Sequence, residues 1–510
     1  MNIQSIKTLG ELKDSGYKPK SIKDELRENL IKKIAGKEIT FPGIIGYEDS
    51  VIPDTERAIL SRHNILFLGL RGQAKTRMAR QMIDLLDEYI PIVKDSEVMD
   101  DPFNPLSKYA KDLIEEKGDD TPITWMHRRN RYAEKLATPD VSVADLIGDI
   151  DPIKAANLKL SYADERVIHY GIIPRSNRGI FVINELPDLQ ARIQVSLFNI
   201  LEEGDLQIRG FKLRLPLDIM FVFTANPEDY TNRGAIVTPL KDRIESQILT
   251  HYPANIENSL LITEQEASIH KDQIKKIQVS DLVKRLIEQV SFEARASEYV
   301  DKKSGVSARL TIAAYENAVS AAERRAIMNK EKETQIWISD LTGIIPSITG
   351  KIELVYEGEQ EGPYQVAMNL LDKAIRSQFV HYFPNPDTLK RRAGRKGDAP
   401  EVVDNPYRSI TSWFDKGNHI NMVFSTSDRD KINQLYKIDG LHALIKKHFS
   451  HANEKEAALL MEFVLHGLAS YSLISKKILE TSVEFKDLMG SMLNIQSSGS
   501  FDDLDEEDFN

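Results

Sequence analysis

The chain has no cysteine and no long apolar run. Among its 510 residues not one is cysteine, which excludes disulfides, thiolate metal sites and cysteine nucleophiles. No stretch approaches the roughly 18 consecutive apolar residues that a membrane-spanning helix needs. Residues 1–20 are polar and helix-like, which argues against a secretory signal. We therefore expect a cytoplasmic protein without a membrane span.

Basic residues are outnumbered by acidic ones. The chain carries 67 Lys and Arg against 78 Asp and Glu, a formal net charge of −11, whereas a protein whose whole surface binds nucleic acid is basic. A basic run at 389–397 favours an exposed loop, with a nucleic-acid patch as the alternative. The acidic run at 501–510 favours a solvated tail, with partner binding as the alternative. We do not expect nucleic acid to be the main partner.

Apolar runs at 65–68, 179–184 and 218–226 are typical of buried strands, and helical periodicity separates the last two. Strands that alternate with helices predict a mainly parallel sheet covered on both faces. A chain of 510 residues is also too long for a single core. The strand signal ends near residue 255 and a further break follows near 345, so we predict domain boundaries there.

The first apolar strand leads into a glycine-containing loop and then a helix. The segment Gly69–Thr76 reads GLRGQAKT, which fits G-x-x-x-x-G-K-[ST] except that Ala74 replaces the second glycine. Such a loop turns backbone N–H groups toward phosphate oxygens, while Lys75 would reach the β- and γ-phosphates and Thr76 would ligate Mg²⁺. The alternative is a glycine-containing turn with a chance Lys-Thr pair.

The second apolar strand ends in Asn184-Glu185, at a place where many ATPases have Asp-Glu. A carboxylate at the tip of a buried strand is costly without a partner such as an ordered water or a cation. Glu185 is suited to act as general base or to position the attacking water. The alternative is a glutamate that caps the next helix or forms a salt bridge.

Three later side chains fit the same chemistry. The third strand ends at Asn226, whose amide is suited to orient a water or to contact the γ-phosphate. Arg243 and Arg309 follow, and arginines stabilise transferring phosphoryl groups, including from a neighbouring subunit. Neither arginine indicates a nucleotide site on its own. The prediction rests on the order of the loop, the two polar strand ends and the two arginines along the chain.

In this order the motifs resemble those of the AAA+ ATPases of the magnesium-chelatase and MoxR group, in the clade with a helix-two insert. The resemblance covers about residues 40–330. GLRGQAKT is similar to the MoxR loop G-x-P-G-x-A-K-T, in which alanine is usual at the position of Ala74. The runs DPFNP, LATPDVSVADLIGDIDPIKA and PRSNRGIFVINELPDL look like the chelatase ATPase subunit in the same order.

The resemblance implies an α/β P-loop NTPase (AAA+) fold with a central parallel sheet, a helical lid and a mainly α C-terminal region. With the breaks in the pattern, it divides the chain into an N-terminal helical segment (1–40), a nucleotide-binding domain (41–255), a lid (256–345) and a C-terminal region with the acidic tail (346–510). The helix-two insert would occupy about residues 136–172 of the second part.

Carried over to this chain, the resemblance also implies roles for single residues. Glu185 would be the catalytic acid, and Asn226 the sensor on the central strand. Arg243 would be the finger that reaches a neighbour's nucleotide, and Arg309 the sensor in the lid.

ATP and Mg²⁺ are the implied cofactors, with Thr76 on the metal and Asn184 acting on it through water. Asn184 replaces the usual aspartate of the group, and changes in such outer-shell groups cost roughly 10- to 100-fold in metal affinity or activity. The implied nucleotide-binding residues are Ile45, Gly46, Gly69, Gly72, Gln73, Ala74, Lys75, Thr76 and Asn184.

The function that this resemblance predicts is a ring-forming ATPase, usually a hexamer, that remodels a partner protein, often one with a von Willebrand A domain. One alternative is a nucleotide-gated scaffold that hydrolyses little because of Asn184. A second alternative is a transcription activator that remodels sigma factors. Its Gly-Ala-Phe-Thr-Gly-Ala loop and helix-turn-helix are not found in the sequence.

Overall fold

The computed structural model describes residues 5–162, 164–203, 205–206, 208, 215–227, 235–388 and 405–488. The chain divides into two compact units between Tyr252 and Pro253. The basic run at 389–397 and the acidic tail at 501–510 lie outside the described residues. In the described part of the chain, no helix is both long enough and apolar enough to cross a bilayer.

A parallel sheet forms the centre of the first unit. The strands of this unit are β1 (Ile65–Leu68), β2 (Tyr89–Val93), β3 (Ile123–His127), β4 (Tyr132–Leu136), β5 (Gly148–Ile150), β6 (Ile168–Tyr170), β7 (Gly179–Asn184), β8 (Asp205–Leu206), β9 (Leu215–Pro216), β10 (Ile219–Ala225) and β11 (Ser246–Leu249). Five of them pair in the order β11-β1-β10-β7-β4, all parallel. The predicted α/β class with a central parallel sheet is confirmed.

Helices surround this sheet. They are α1 (Leu9–Asp14), α2 (Ile22–Ala35), α3 (Val51–Leu60), α4 (Lys75–Gln81), α5 (Lys108–Lys117), α6 (Val143–Leu146), α7 (Pro152–Leu158), α8 (Ile172–Arg175), α9 (Ala191–Ser196), α10 (Phe198–Glu203) and α11 (Thr238–Asp242). Within the predicted insert at 136–172, β5 and β6 form an antiparallel pair. A second antiparallel pair, β2 with β3, was not predicted.

Successive side chains of the sheet strands enter two different hydrophobic clusters. Phe67 and Val182 pack in one cluster, together with residues of α2 and α4. Their chain neighbours Leu66 and Ile183 pack in the other cluster, together with residues of α9. Because side chains alternate along a strand, a sheet buried on both faces requires uninterrupted apolar runs. This explains the strand signal in the sequence.

The N-terminal segment packs into the first unit. Ser21 caps α2 by accepting a hydrogen bond from the helix backbone, and Leu26 lies in the cluster that also holds Phe67. Glu25 of α2 forms an ion pair with Arg131 at 2.6 Å, with side-chain exposures of 4% and 1%. This buried pair ties α2 to the segment that precedes β4.

The carboxyl ends of three neighbouring strands meet at one edge of the sheet. The register pairs Leu68, the last residue of β1, with Ala225, the last residue of β10. The loop that begins at Gly69 therefore lies beside Asn226, which follows β10, and Glu185 follows the adjacent β7. In parallel sheets this edge is where ligands bind.

The second unit is predominantly helical, as predicted. Its helices are α12 (Ile256–Glu266), α13 (Lys271–Lys276), α14 (Asp281–Ala296), α15 (Arg309–Met328), α16 (Ile345–Thr349), α17 (Tyr356–Glu361), α18 (Pro363–Tyr382), α19 (Arg408–Asp415), α20 (Asp428–Leu435), α21 (Leu441–His448) and α22 (Glu454–Ser470). Its strands are β12 (Ile277–Gln278), β13 (Thr334–Gln335), β14 (Ile420–Val423), β15 (Ser475–Ile478) and β16 (Ser482–Lys486).

One hydrophobic cluster runs through the second unit. It joins Leu286, Ile345, Phe379 and Phe463, so residues on both sides of the predicted boundary at 345 share a core. A small antiparallel sheet in the order β14-β16-β15 adds to this unit. This small sheet was not predicted from the sequence.

Candidate nucleotide-binding site

The loop after β1 has the backbone of a phosphate cradle. Gly72 and Ala74 both have positive φ, +73° and +57°. A residue with a Cβ rarely adopts this conformation, which costs roughly 1 to 2 kcal/mol. Such turns direct consecutive N–H groups to one side, where they can bind an anion. The alanine therefore adopts the left-handed conformation for which other loops use glycine.

Lys75 folds back onto the loop. Its side chain is only 8% exposed, and its ammonium group donates to the carbonyl oxygens of Gly69 and, at 3.0 Å, Leu70. A phosphate would be a stronger acceptor for this cation than a neutral carbonyl. The ammonium group of Lys75 thus already lies at the loop where an anionic ligand is expected to bind.

Asn184 joins the helix after the loop to the neighbouring strand. Its Oδ1 accepts a hydrogen bond from the Thr76 hydroxyl at 3.1 Å and another from the Thr224 hydroxyl at 3.2 Å. The amide oxygen therefore accepts the hydrogen bonds that an aspartate carboxylate would accept, but it carries no negative charge. Because the Thr76 hydroxyl donates its hydrogen bond to Asn184, the lone pairs of the Thr76 oxygen remain available for a cation.

Glu185 and Asn226 lie at the ends of adjacent strands. Glu185 is partly exposed and has φ of +54°, and its backbone N–H donates to Thr224 Oγ1 at 3.2 Å. Asn226 is 7% exposed, and its Oδ1 has no hydrogen-bond partner among the described residues. A buried polar atom without a partner calls for an explanation, and a bound ligand or water supplies one.

The segment around Ile45 and Gly46 reaches the loop through Tyr47. The Tyr47 hydroxyl donates to the carbonyl oxygen of Gln73 at 3.0 Å and to that of His251 at 2.8 Å. Burial raises the pKa of Tyr47 above its ordinary value, so the phenol stays protonated and can donate. Ile45 and Gly46 were predicted from the sequence, but this tyrosine was not.

Gly69 and Gln73 are tied to the segment after β11. Thr250 donates to Gln73 Oε1 at 2.7 Å, and a Cβ on Gly69 would lie 2.0 Å from Thr250 Oγ1. Glycine is therefore required at 69 because Thr250 passes so close. Tyr252, two residues further along the chain, donates to the carbonyl oxygen of Arg71 at 2.9 Å.

The two predicted arginines are placed differently. Arg243 bonds Glu202 with Nε at 2.8 Å and Nη2 at 2.6 Å, and donates from Nη1 to the Pro239 carbonyl at 2.9 Å. Its guanidinium carbon lies 5.4 Å from the ring centre of Phe198. Arg309 belongs to the second unit, where it begins α15 with an exposed side chain.

The residues present fit a nucleotide with Mg²⁺. No group of three or more His, Cys, Asp or Glu side chains arranged to hold a metal occurs within the described residues. Mg²⁺ does not need one, because it keeps several waters and is bound by one or two protein oxygens together with phosphates. Thr76 supplies such an oxygen, and Asn184 lies behind it as the acceptor of the Thr76 hydroxyl. The orphaned oxygen of Asn226 lies at the same edge of the sheet.

Comparison with known proteins supports the predicted resemblance. No family profile matches the chain. The chain is similar to magnesium-chelatase subunit ChlI of Chlorella vulgaris, at 23% identity over 329 residues that cover 60% of this chain and 86% of the relative.

Several solved structures also match. One is a Cytophaga hutchinsonii protein assigned as an ATPase, with 18% identity, coverage of 71% of this chain and 98% of that chain, and a TM-score of 0.28. Another is Hsp104 in a closed state with ATPγS and casein, with 12% identity, coverage of 64% and 53%, and a TM-score of 0.35. Because these scores are low, the strand order and the loop geometry carry the fold assignment.

Proposed function

This chain is related to the magnesium-chelatase group of AAA+ ATPases, and on that premise we propose that it binds ATP with Mg²⁺ and couples hydrolysis to remodelling of a partner protein. The observation that carries the proposal is the convergence at one sheet edge of Lys75, Thr76, Asn184, Glu185 and Asn226. These side chains come from three adjacent strand ends and supply a cation, a hydroxyl, a carboxylate and two amides.

Lys75 and Thr76 would hold the phosphate end of the nucleotide. The Lys75 ammonium group exchanges its carbonyl acceptors for phosphate oxygens, and the loop N–H groups bind the remaining oxygens. Thr76, whose hydroxyl donates to Asn184, would offer an oxygen lone pair to Mg²⁺. Bound Mg²⁺ would supply the positive charge that offsets the charge of the β- and γ-phosphates.

Glu185 and Asn226 would act on the attacking water. The Glu185 carboxylate accepts a hydrogen bond from the water and holds its proton as the water attacks. The Asn226 amide, with an unpaired buried oxygen in this structure, orients the same water from the adjacent strand. The two residues follow neighbouring paired strands, β7 and β10.

The two arginines are candidates for contacts with nucleotide in an oligomer. We propose a homo-oligomeric ring, with a hexamer as the expected size, in which Arg243 reaches the nucleotide of a neighbour and Arg309 acts as the sensor in the lid. Arg243 would have to exchange Glu202 for a phosphate to do so. A partner with a von Willebrand A domain and a cytoplasmic location remain predictions.

One observation favours a second candidate, a nucleotide-gated scaffold with weak hydrolysis. Asn184 carries no charge, and its oxygen already accepts two hydroxyl groups. A site of this kind can retain nucleotide binding while it loses an outer-shell contribution to the metal. The two candidates differ in turnover and agree on binding.

Phosphate release from ATP, measured with and without Mg²⁺, tests the proposal. Glu185→Gln should lower kcat about 100-fold or more with nucleotide binding retained, and Lys75→Ala should abolish binding of a fluorescent ATP analogue. Glu28→Gln and Lys20→Ala, which break an exposed pair at 2.5 Å, are the matched controls and should leave turnover unchanged. Turnover that is insensitive to both site variants would refute the proposal.

A further inference from the structure

We infer that Thr224 is a positioning residue for the proposed hydrolysis, because it holds the backbone of Glu185 in the conformation that aims its carboxylate. This inference rests on the proposed function and concerns the same site. Thr224 lies within β10, a strand that is buried along its whole length, so the apolar pattern of the sequence hides it.

The backbone of Glu185 requires support. Its φ of +54° lies in the left-handed region, which residues with a Cβ avoid. Such conformations persist where the surroundings fix them, and they concentrate at functional sites. Here the Glu185 N–H donates to Thr224 Oγ1 at 3.2 Å, and the Glu185 carbonyl accepts from the Asp188 N–H at 2.9 Å. Thr224 thus holds one side of this turn from the adjacent strand.

The same hydroxyl also fixes Asn184. Thr224 Oγ1 donates to Asn184 Oδ1 at 3.2 Å, and Thr76 donates to the same oxygen at 3.1 Å. The hydrogen bonds therefore form a chain from Thr76 through Asn184 and Thr224 to Glu185. This chain connects the proposed metal ligand to the backbone N–H of the residue that carries the proposed catalytic carboxylate.

Burial makes the hydroxyl hard to replace. Thr224 is 1% exposed, so bulk water cannot take over its two hydrogen bonds. Removing the hydroxyl leaves the Glu185 N–H without this acceptor and leaves Asn184 Oδ1 with one donor fewer. Both changes loosen the strand end from which Glu185 projects.

Isosteric replacement separates the hydroxyl from the shape of the side chain. Thr224→Val keeps the volume and removes both bonds, whereas Thr224→Ser keeps the hydroxyl. Loss of a partner for a buried donor predicts a fall in kcat of about tenfold in the valine variant, with KM for ATP within about threefold of the wild type. The serine variant should stay within about twofold of the wild-type kcat.

A buried threonine elsewhere in the first unit provides the matched control. Thr55 is 0% exposed, and its hydroxyl donates to the Val51 carbonyl of α3 at 2.7 Å. Thr55→Val should leave kcat unchanged although it removes a buried hydroxyl of the same kind.

A second measurement needs no nucleotide. Hydrogen exchange, followed by mass spectrometry on a peptide that spans residues 182–188, should be faster in Thr224→Val than in the wild type. It should be unchanged in Thr224→Ser. If the valine variant does not fold, Thr224→Ala removes the same hydroxyl and is compared by both readouts.

The outcomes distinguish the role of Thr224 from the proposed ATPase function. A wild-type kcat in folded Thr224→Val or Thr224→Ala overturns the inference, and so do equal losses in the valine and serine variants. If the wild-type protein hydrolyses no ATP, the proposed function fails. Exchange at 182–188 then decides alone whether Thr224 holds this strand end.

Discussion

Replacing Asn184 by aspartate changes the charge of the oxygen on which two hydroxyl groups converge. That oxygen accepts from Thr76 at 3.1 Å and from Thr224 at 3.2 Å. A hydrogen bond between neutral groups contributes about 0.5 to 1.5 kcal/mol net, and one to a charged group about 1.5 to 3 kcal/mol. If the geometry is kept, the two bonds therefore strengthen by about 2 to 3 kcal/mol in total.

The net effect of these stronger hydrogen bonds depends on whether Mg²⁺ is bound. Without Mg²⁺, the new carboxylate would be a second negative charge next to Glu185, and like charges disfavour each other's ionised forms. With Mg²⁺ bound, the cation offsets both charges. We therefore expect Asn184→Asp to reach half-maximal turnover at about tenfold lower Mg²⁺ concentration, with a higher kcat and no tighter oligomer.

The assay is steady-state phosphate release across a Mg²⁺ titration, with oligomeric state followed by light scattering. Asn369→Asp serves as the control, because its Oδ1 also accepts a side-chain hydrogen bond, from Gln365 at 2.9 Å, far along the chain in α18. Wild-type values of both the Mg²⁺ midpoint and kcat in Asn184→Asp would contradict this expectation.

Two further predictions concern buried charge. Glu25→Gln removes the ion-pair partner of Arg131, whose side chain is 1% exposed. Breaking such a buried pair costs about 3 to 5 kcal/mol. Over the 252 residues of the first unit this lowers Tm by about 6 to 9 °C at ~2.1 cal/mol/K per residue. Calorimetry should show this shift and none for Glu28→Gln, and a shift under about 2 °C for Glu25→Gln would contradict the estimate. Burial lowers the pKa of His466 well below its ordinary 6.5. Below about pH 6.5 the unfolded chain therefore binds a proton that the native state does not. The free energy of unfolding then decreases as the pH is lowered, by up to about 1.4 kcal/mol per pH unit. Urea denaturation at about pH 7.5 and 5.5 should show this loss, and His466→Leu should lack it; parallel pH dependence in both proteins would count against it.

Local patterns in the sequence determined the sheet and the loop. Strands 65–68 and 179–184 were predicted with the bounds that β1 and β7 have, because a sheet buried on both faces needs uninterrupted apolar residues. The loop Gly69–Thr76 was predicted from its spacing, since the phosphate-binding geometry depends on consecutive residues. The order of these elements then sufficed to name Glu185 and Asn226 as candidates.

Other features were decided by the tertiary structure alone. The links of Thr224 to Glu185, of Tyr47 to Gln73 and of Glu25 to Arg131 join residues that are far apart in the chain. The small sheet of β14, β15 and β16 likewise depends on pairing between distant segments. Periodicity describes only neighbours in sequence, whereas these contacts depend on register and packing. Candidate residues for the chemistry could therefore be named from the sequence, and the residues that contact and hold them could not.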